Sequence, residues 1–134
     1  MLQILKDIYT DTSLGPLLGF MGGTAIYLFY DLPRFSTDLD FDLLSSSKEA
    51  FVFDEVGRII QPYGALKEKS NKKNTLFYFL SYSEGLQNIK VEVSKRNFGS
   101  SYELKNYLGI PMLVMKKEDL FANKMAALLE RREI

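Results

Sequence analysis

Apolar positions recur at helical spacing near both ends of the chain and alternate with polar ones in between. Leu2, Ile4, Leu5, Ile8 and Tyr9 predict an amphipathic helix over residues 2 to 11, closed by the turn-rich stretch from Asp11 to Pro16. Leu17 to Met21 is a short apolar run bounded by glycine and proline, the pattern of a buried strand. Gly22-Gly23 breaks the chain, an apolar helix runs from Thr24 to Asp31, and Pro33 closes it. From Asp38 to Leu44 the alternation is strict: Asp38, Asp40 and Asp42 share one face of a strand, and Leu39, Phe41 and Leu43 the other.

Ser46 and Glu49 have the spacing of a capping box before a helix whose apolar face is Phe51, Val52, Val56, Ile59 and Ile60. Pro62 and Gly64 stop it. Three strands follow, residues 65–70, 75–82 and 89–94, separated by the turns Asn71-Lys72-Lys73-Asn74 and Ser83-Glu84-Gly85, which predicts an antiparallel set. An extended piece over 102–115 is interrupted by Gly109 and Pro111. A last amphipathic helix spans 117–132, with Leu120, Phe121, Lys124, Met125, Leu128 and Leu129 at helical spacing. The class is α/β, of the α+β kind. With 134 residues and no linker, repeat or low-complexity tract, one domain over 1–134 is expected. The final helix reaches Glu133-Ile134 without a capping glycine, so the domain reads as truncated on its C-terminal side.

Composition narrows the chemistry. Histidine and cysteine are both absent. That excludes disulfides, a thiol nucleophile, a Ser-His-Asp triad and the usual zinc sites, and leaves carboxylates, lysines, tyrosines and backbone amides. Seventeen basic and seventeen acidic residues cancel, so nucleic acid is not drawn by a global field and any contact must be local. The uncharged run from Thr12 to Tyr30 is broken by Gly15, Pro16, Gly19, Gly22 and Gly23, too often for a spanning helix. No secretory pattern opens the chain, and a cytoplasmic protein with no membrane partner is expected.

Carboxylates crowded on one strand face repel one another unless a cation lies between them. A hard divalent ion such as Mg²⁺ takes oxygen ligands and brings phosphates with it. Gly22-Gly23-Thr24 supplies the other half, because amides at a helix start bind phosphate. Asp38 and Asp40 alone match a solvent-facing edge strand equally well; joined to the glycine pair, Arg34 and Ser36, they point to phosphate transfer. Asp42 is expected to support the pair or to be solvated. Glu92, with Val91 and Val93 turned away from it, becomes a third carboxylate if its strand neighbours that of Asp38; otherwise it is an exposed acid. Lys124, between Leu120 and Leu128, either runs along the core edge or meets a phosphate. Lys67, Lys69, Lys72 and Lys73 read as solvated turn charges before they read as an RNA patch. Phe77, Tyr78 and Tyr82 read as cross-strand packing before a base-stacking platform.

In combination, Gly22-Gly23-Thr24-Ala25, Arg34 to Phe41, Lys90-Val91-Glu92-Val93 and Leu120 to Leu128 with Arg131 resemble the AbiEii/AbiGii-type nucleotidyltransferase toxins, within the polymerase-β-like superfamily. The likeness runs from about residue 18 onward. It implies a nucleotidyltransferase fold, a mixed and largely antiparallel sheet flanked by helices. It further implies Mg²⁺ or Mn²⁺ held by Asp38 and Asp40, with Glu92 matching the later acidic strand position and Lys124 a phosphate-contacting helical lysine. NTP is the implied substrate, tRNA an acceptor for some members, and an antitoxin a partner. Gly22, Gly23, Thr24, Arg34 and Ser36 would cradle the phosphates. The resemblance departs where the chain stops, since members continue with an Arg-Asp-x-x-Asp-like element and a helical region. Transfer to a protein or small-molecule hydroxyl, or a silent nucleotide-binding remnant, are the alternatives.

Overall fold

The computed structural model describes residues 1–30, 37–82, 87–96 and 99–132, with side chains as far as residue 129. Helix α1 (Leu2–Thr10) precedes strand β1 (Leu18–Met21), which runs directly into helix α2 (Gly22–Tyr30). Strand β2 (Asp38–Leu43) and helix α3 (Glu49–Ile60) follow, then the meander β3 (Ala65–Asn71), β4 (Thr75–Tyr82) and β5 (Gln87–Ser94). The hairpin β6 (Tyr102–Tyr107) and β7 (Ile110–Met115) leads to helix α4 (Lys117–Arg132).

All seven strands form one sheet in the order β3-β4-β5-β2-β1-β7-β6. The predicted β3-β4-β5 set is antiparallel, as are β1 with β2 and β6 with β7. Two junctions are parallel, β2 with β5 and β1 with β7. These bring together segments that no local pattern connects.

One sheet face carries the core. Phe20, Leu39, Phe41, Leu76, Tyr78, Leu80, Val91, Val93 and Val114 are all fully buried on it. Helices cover this face: the Tyr9 ring of α1 lies 6.2 Å from Phe41, Phe53 of α3 lies 5.8 Å from Tyr78, and Phe29 of α2 meets Tyr107 edge-on. The polar ends of Tyr9 and Tyr78 are satisfied. The Tyr9 hydroxyl donates to the carbonyls of Leu18 and Leu113, and Tyr78 donates to the carbonyl of Phe53. On the opposite face, where the aspartates of β2 point, Asp38, Asp40, Glu92, Phe77 and Phe79 are half-buried and Lys90 is exposed.

Four expectations change. The Ser46/Glu49 capping box does not form: Ser46–Lys48 make a 3₁₀ turn, and α3 starts at Glu49 without a side-chain cap. Phe51 is exposed rather than part of the buried face of α3. Pro111 does not interrupt the extended piece, because it sits within β7 opposite Asn106; the break is the Leu108-Gly109 turn, where both residues have positive φ. In α4, Leu120 is buried while Met125, Leu128 and Leu129 are exposed, so the predicted apolar face is only half used. The Ser83-Glu84-Gly85 turn and Pro33 lie outside the described residues. No described helix is long and apolar enough to cross a membrane.

Candidate active site

The site begins with register. In the parallel β2–β5 pair, Asp38 lies opposite Lys90 and Asp40 opposite Glu92. On the other side of β2, Asp40 is opposite Met21, the last residue of β1 before the glycine pair. Partners in register share a face, so Asp38, Asp40 and Glu92 lie on one side of the sheet, with Asp40 and Glu92 directly opposite each other near the start of helix α2. The condition set on Glu92 is met, since its strand does neighbour that of Asp38.

Gly22 shapes the junction. Its φ is +81°, and a Cβ there would run into the carboxylate of Asp40. Only glycine allows the chain to turn from β1 into α2 while touching that side chain. Gly23 follows in the first turn of α2, whose N–H groups have no partner within the helix. Thr24 is buried, and its hydroxyl donates to the backbone carbonyl of Asp38. That bond fixes the helix start against the carboxylate strand, so Thr24 acts in positioning.

Electrostatics reflect the crowding. Burial, followed by the charges of Glu92 and Asp38, pushes the Asp40 carboxyl up to about 7, with Lys90 acting in the opposite sense. Asp42 is buried too, and burial raises its carboxyl, partly offset by the hydrogen bond it accepts from Tyr102. Asp42 is therefore not solvated, and its charge is among those that raise the Asp40 carboxyl. Tyr102 reaches Asp42 from β6 by lying over Gly19, where a Cβ would collide with the phenol ring.

Sequence reasoning missed Tyr102 and Lys90, because their roles depend on strand order. Glycine at position 19 within an apolar strand was the available sign of a close approach. Lys124 is half-buried on α4, which packs on α2. Arg34 and Ser36 lie outside the described residues. Among the described residues, no three or more carboxylates are gathered as a ready-made metal cage. The donor set nonetheless fits a hard divalent cation: acidic oxygens on adjacent strands, with Asp40 resisting ionisation while no cation is beside it.

The family described as nucleotidyl transferase AbiEii toxin, type IV TA system, matches residues 3–134. The chain belongs to this AbiEii family. Among solved structures it is similar to JHP933 from Helicobacter pylori, with 29% identity and a TM-score of 0.62 over 92% of this chain and 52% of that one. A second H. pylori structure, provisionally named a nucleotidyltransferase, has 27% identity and a TM-score of 0.63 over 92% of this chain and 54% of the other. An antigenic nucleotidyltransferase-like protein from Paracoccidioides brasiliensis shares the fold, at 15% identity and TM-score 0.56, over 93% of this chain and 66% of its own. A comparison with proteins of curated function found no match. The chain spans about half the length of the two H. pylori proteins, and its AbiEii membership bears out the expected family and nucleotidyltransferase fold.

Proposed function

We propose that this AbiEii domain transfers a nucleoside monophosphate from an NTP to a hydroxyl of an RNA acceptor such as tRNA, as a cytoplasmic toxin restrained by an antitoxin. The observation that supports this best is the Asp40–Glu92 pair across two parallel strands, with Gly22 packed against Asp40. It sets carboxylates beside a helix start suited to phosphate.

Asp38, Asp40 and Glu92 would hold Mg²⁺ or Mn²⁺. When bound, the ion supplies charge neutralisation on the phosphates and acidifies the acceptor hydroxyl. The amides of Gly22 and Gly23 hold the β- and γ-phosphates at the N-terminus of α2, and Thr24 keeps that helix in register with Asp38. Arg34, Ser36 and Lys124 add donors to the same phosphates. The acceptor oxygen forms a bond to the α-phosphorus, the bond to the β-phosphate bridging oxygen breaks, and pyrophosphate leaves. The acceptor proton passes to the carboxylate of Glu92. No histidine is needed for this, in keeping with a chain that has none.

Incubation with α-labelled NTPs, Mg²⁺ and total tRNA tests the reading. Label on RNA in the wild type, reduced by orders of magnitude in Asp40→Asn, is the expected result. Label on protein or on an aminoglycoside would move the acceptor to another hydroxyl. Equal labelling by Asp40→Asn would overturn the site.

A further inference from the structure

Beyond Glu92 the open sheet face continues onto β4, and its character changes there. In register, Phe77 lies opposite Glu92 and Phe79 opposite Lys90, so both rings share the face of the carboxylates. Tyr78 and Leu80, between and beside them, point into the core. Both phenylalanines are half-buried, not sealed. The Lys72 ammonium lies 4.2 Å over the Phe77 ring, and an ammonium stays in water, so that ring face is wet. Lys72 is held there by a half-exposed ion pair with Glu68 at 3.6 Å, a contact weak enough to exchange for a phosphate. Lys90 is exposed on the same face.

Two aromatic faces flanked by exposed lysines are the elements of a single-strand binding surface, where bases stack and ammonium groups follow the backbone. Position decides which reactant uses it. Strands are about 4.8 Å apart, which puts the Phe77 backbone about 10 Å from Asp40. In-line transfer places the leaving group and the attacking hydroxyl on opposite sides of the reacting phosphorus. Under the reading proposed above, pyrophosphate leaves toward Gly22 and Gly23, on the β1 side of Asp40. The attacking hydroxyl then enters over Glu92, from the β4 side.

We infer that Phe77 and Phe79, with Lys72 and Lys90, form a stacking floor for unpaired nucleotides at the acceptor RNA's reacting end. This rests on the nucleotidyl-transfer reading and adds that the acceptor is single-stranded near the site. It also revises the simpler view of Phe77 as strand packing. The lysines select for phosphate, and the rings select for unpaired bases over a closed duplex.

Binding separates this from catalysis. Fluorescence anisotropy would follow a labelled single-stranded RNA hexamer, and a duplex of the same sequence, on the full chain carrying Asp40→Asn. The double variant Phe77→Leu/Phe79→Leu preserves apolar bulk but removes the π-faces, and should weaken single-strand binding on the order of tenfold or more. Phe77→Tyr/Phe79→Tyr should restore it. Lys72→Gln with Lys90→Gln should flatten the salt dependence of binding. NTP-induced thermal shifts of the leucine variant, measured with Asp40 intact, should match the wild type. Undiminished RNA binding by the leucine variant overturns the floor, as does a wild-type site that ignores single strands or prefers duplex. Loss of NTP response in that variant also overturns it, by assigning the rings to the nucleotide. An absent NTP response in the wild type, by contrast, counts against nucleotidyl transfer itself.

Discussion

The phenol of Tyr102 donates its hydrogen bond to the carboxylate of Asp42, three strands away across β7 and β1, over the space left by Gly19. A buried carboxylate without such a donor is costly. Tyr102→Phe should therefore lower stability by about 1–3 kcal/mol, read from urea denaturation. Gly19→Ala should act similarly by driving the ring away. If Tyr102→Phe is neutral, Asp42 is satisfied by other means.

The Asp40 carboxyl gives the metal-free protein a particular pH dependence. Its folded value of about 7 lies above the ordinary 3.8, so the folded state binds the proton more tightly than the unfolded chain. This contribution is complete below about pH 4 and is lost as pH rises through 7. Moving from 3.8 to about 7 corresponds to on the order of 4 kcal/mol. Metal-free wild type should lose melting temperature between pH 5 and pH 8, Asp40→Asn should flatten that fall, and Mg²⁺ should stabilise more at pH 8 than at pH 5. Calorimetry across that range, with chelator and with Mg²⁺, checks all three.

Glu92→Gln removes the second cause of the raised Asp40 carboxyl and, in the proposed chemistry, the group that receives the acceptor proton. Single-turnover rates should fall roughly a hundredfold or more. The metal-free pH profile should also become shallower. A slowed enzyme with an unchanged profile would separate the two roles.

Two glycines allow an internally controlled comparison. Gly22 and Gly109 have nearly the same φ, +81° and +84°, but only Gly22 has a neighbour where a Cβ would go. Gly109→Ala should cost only the left-handed backbone, about 1–2 kcal/mol. Gly22→Ala should cost more and abolish the thermal response to NTP. Equal losses of stability with an intact NTP response would argue against a phosphate seat at the start of α2.

Local pattern was enough for the acidic strand. Alternation from Asp38 to Leu43 fixes which residues face outward without knowledge of any neighbour, and the break at Gly22 marks the turn beside them. The partners were illegible for a physical reason. Glu92 shares the face of Asp38 and Asp40 only because β5 pairs in parallel with β2, a choice made by the assembled sheet. Tyr102 is distant in sequence, and only Gly19 hinted that something large would lie over β1. At Ser46, a matching capping pattern gave way to a 3₁₀ turn. In α4, helical spacing marked an apolar face but could not say that its later turns lack cover within these residues.

The parallel β2–β5 junction also sets when this site can exist. Tyr9 bonds to a carbonyl 104 positions onward, and Asp42 waits for a phenol 60 positions away. Folding of such a topology is governed by closing long loops, not by forming turns. During synthesis, Asp38 and Asp40 leave the ribosome well before Glu92, and Tyr102 later still. Under the proposed reading, the nascent chain holds no assembled site until most of the sheet has been made.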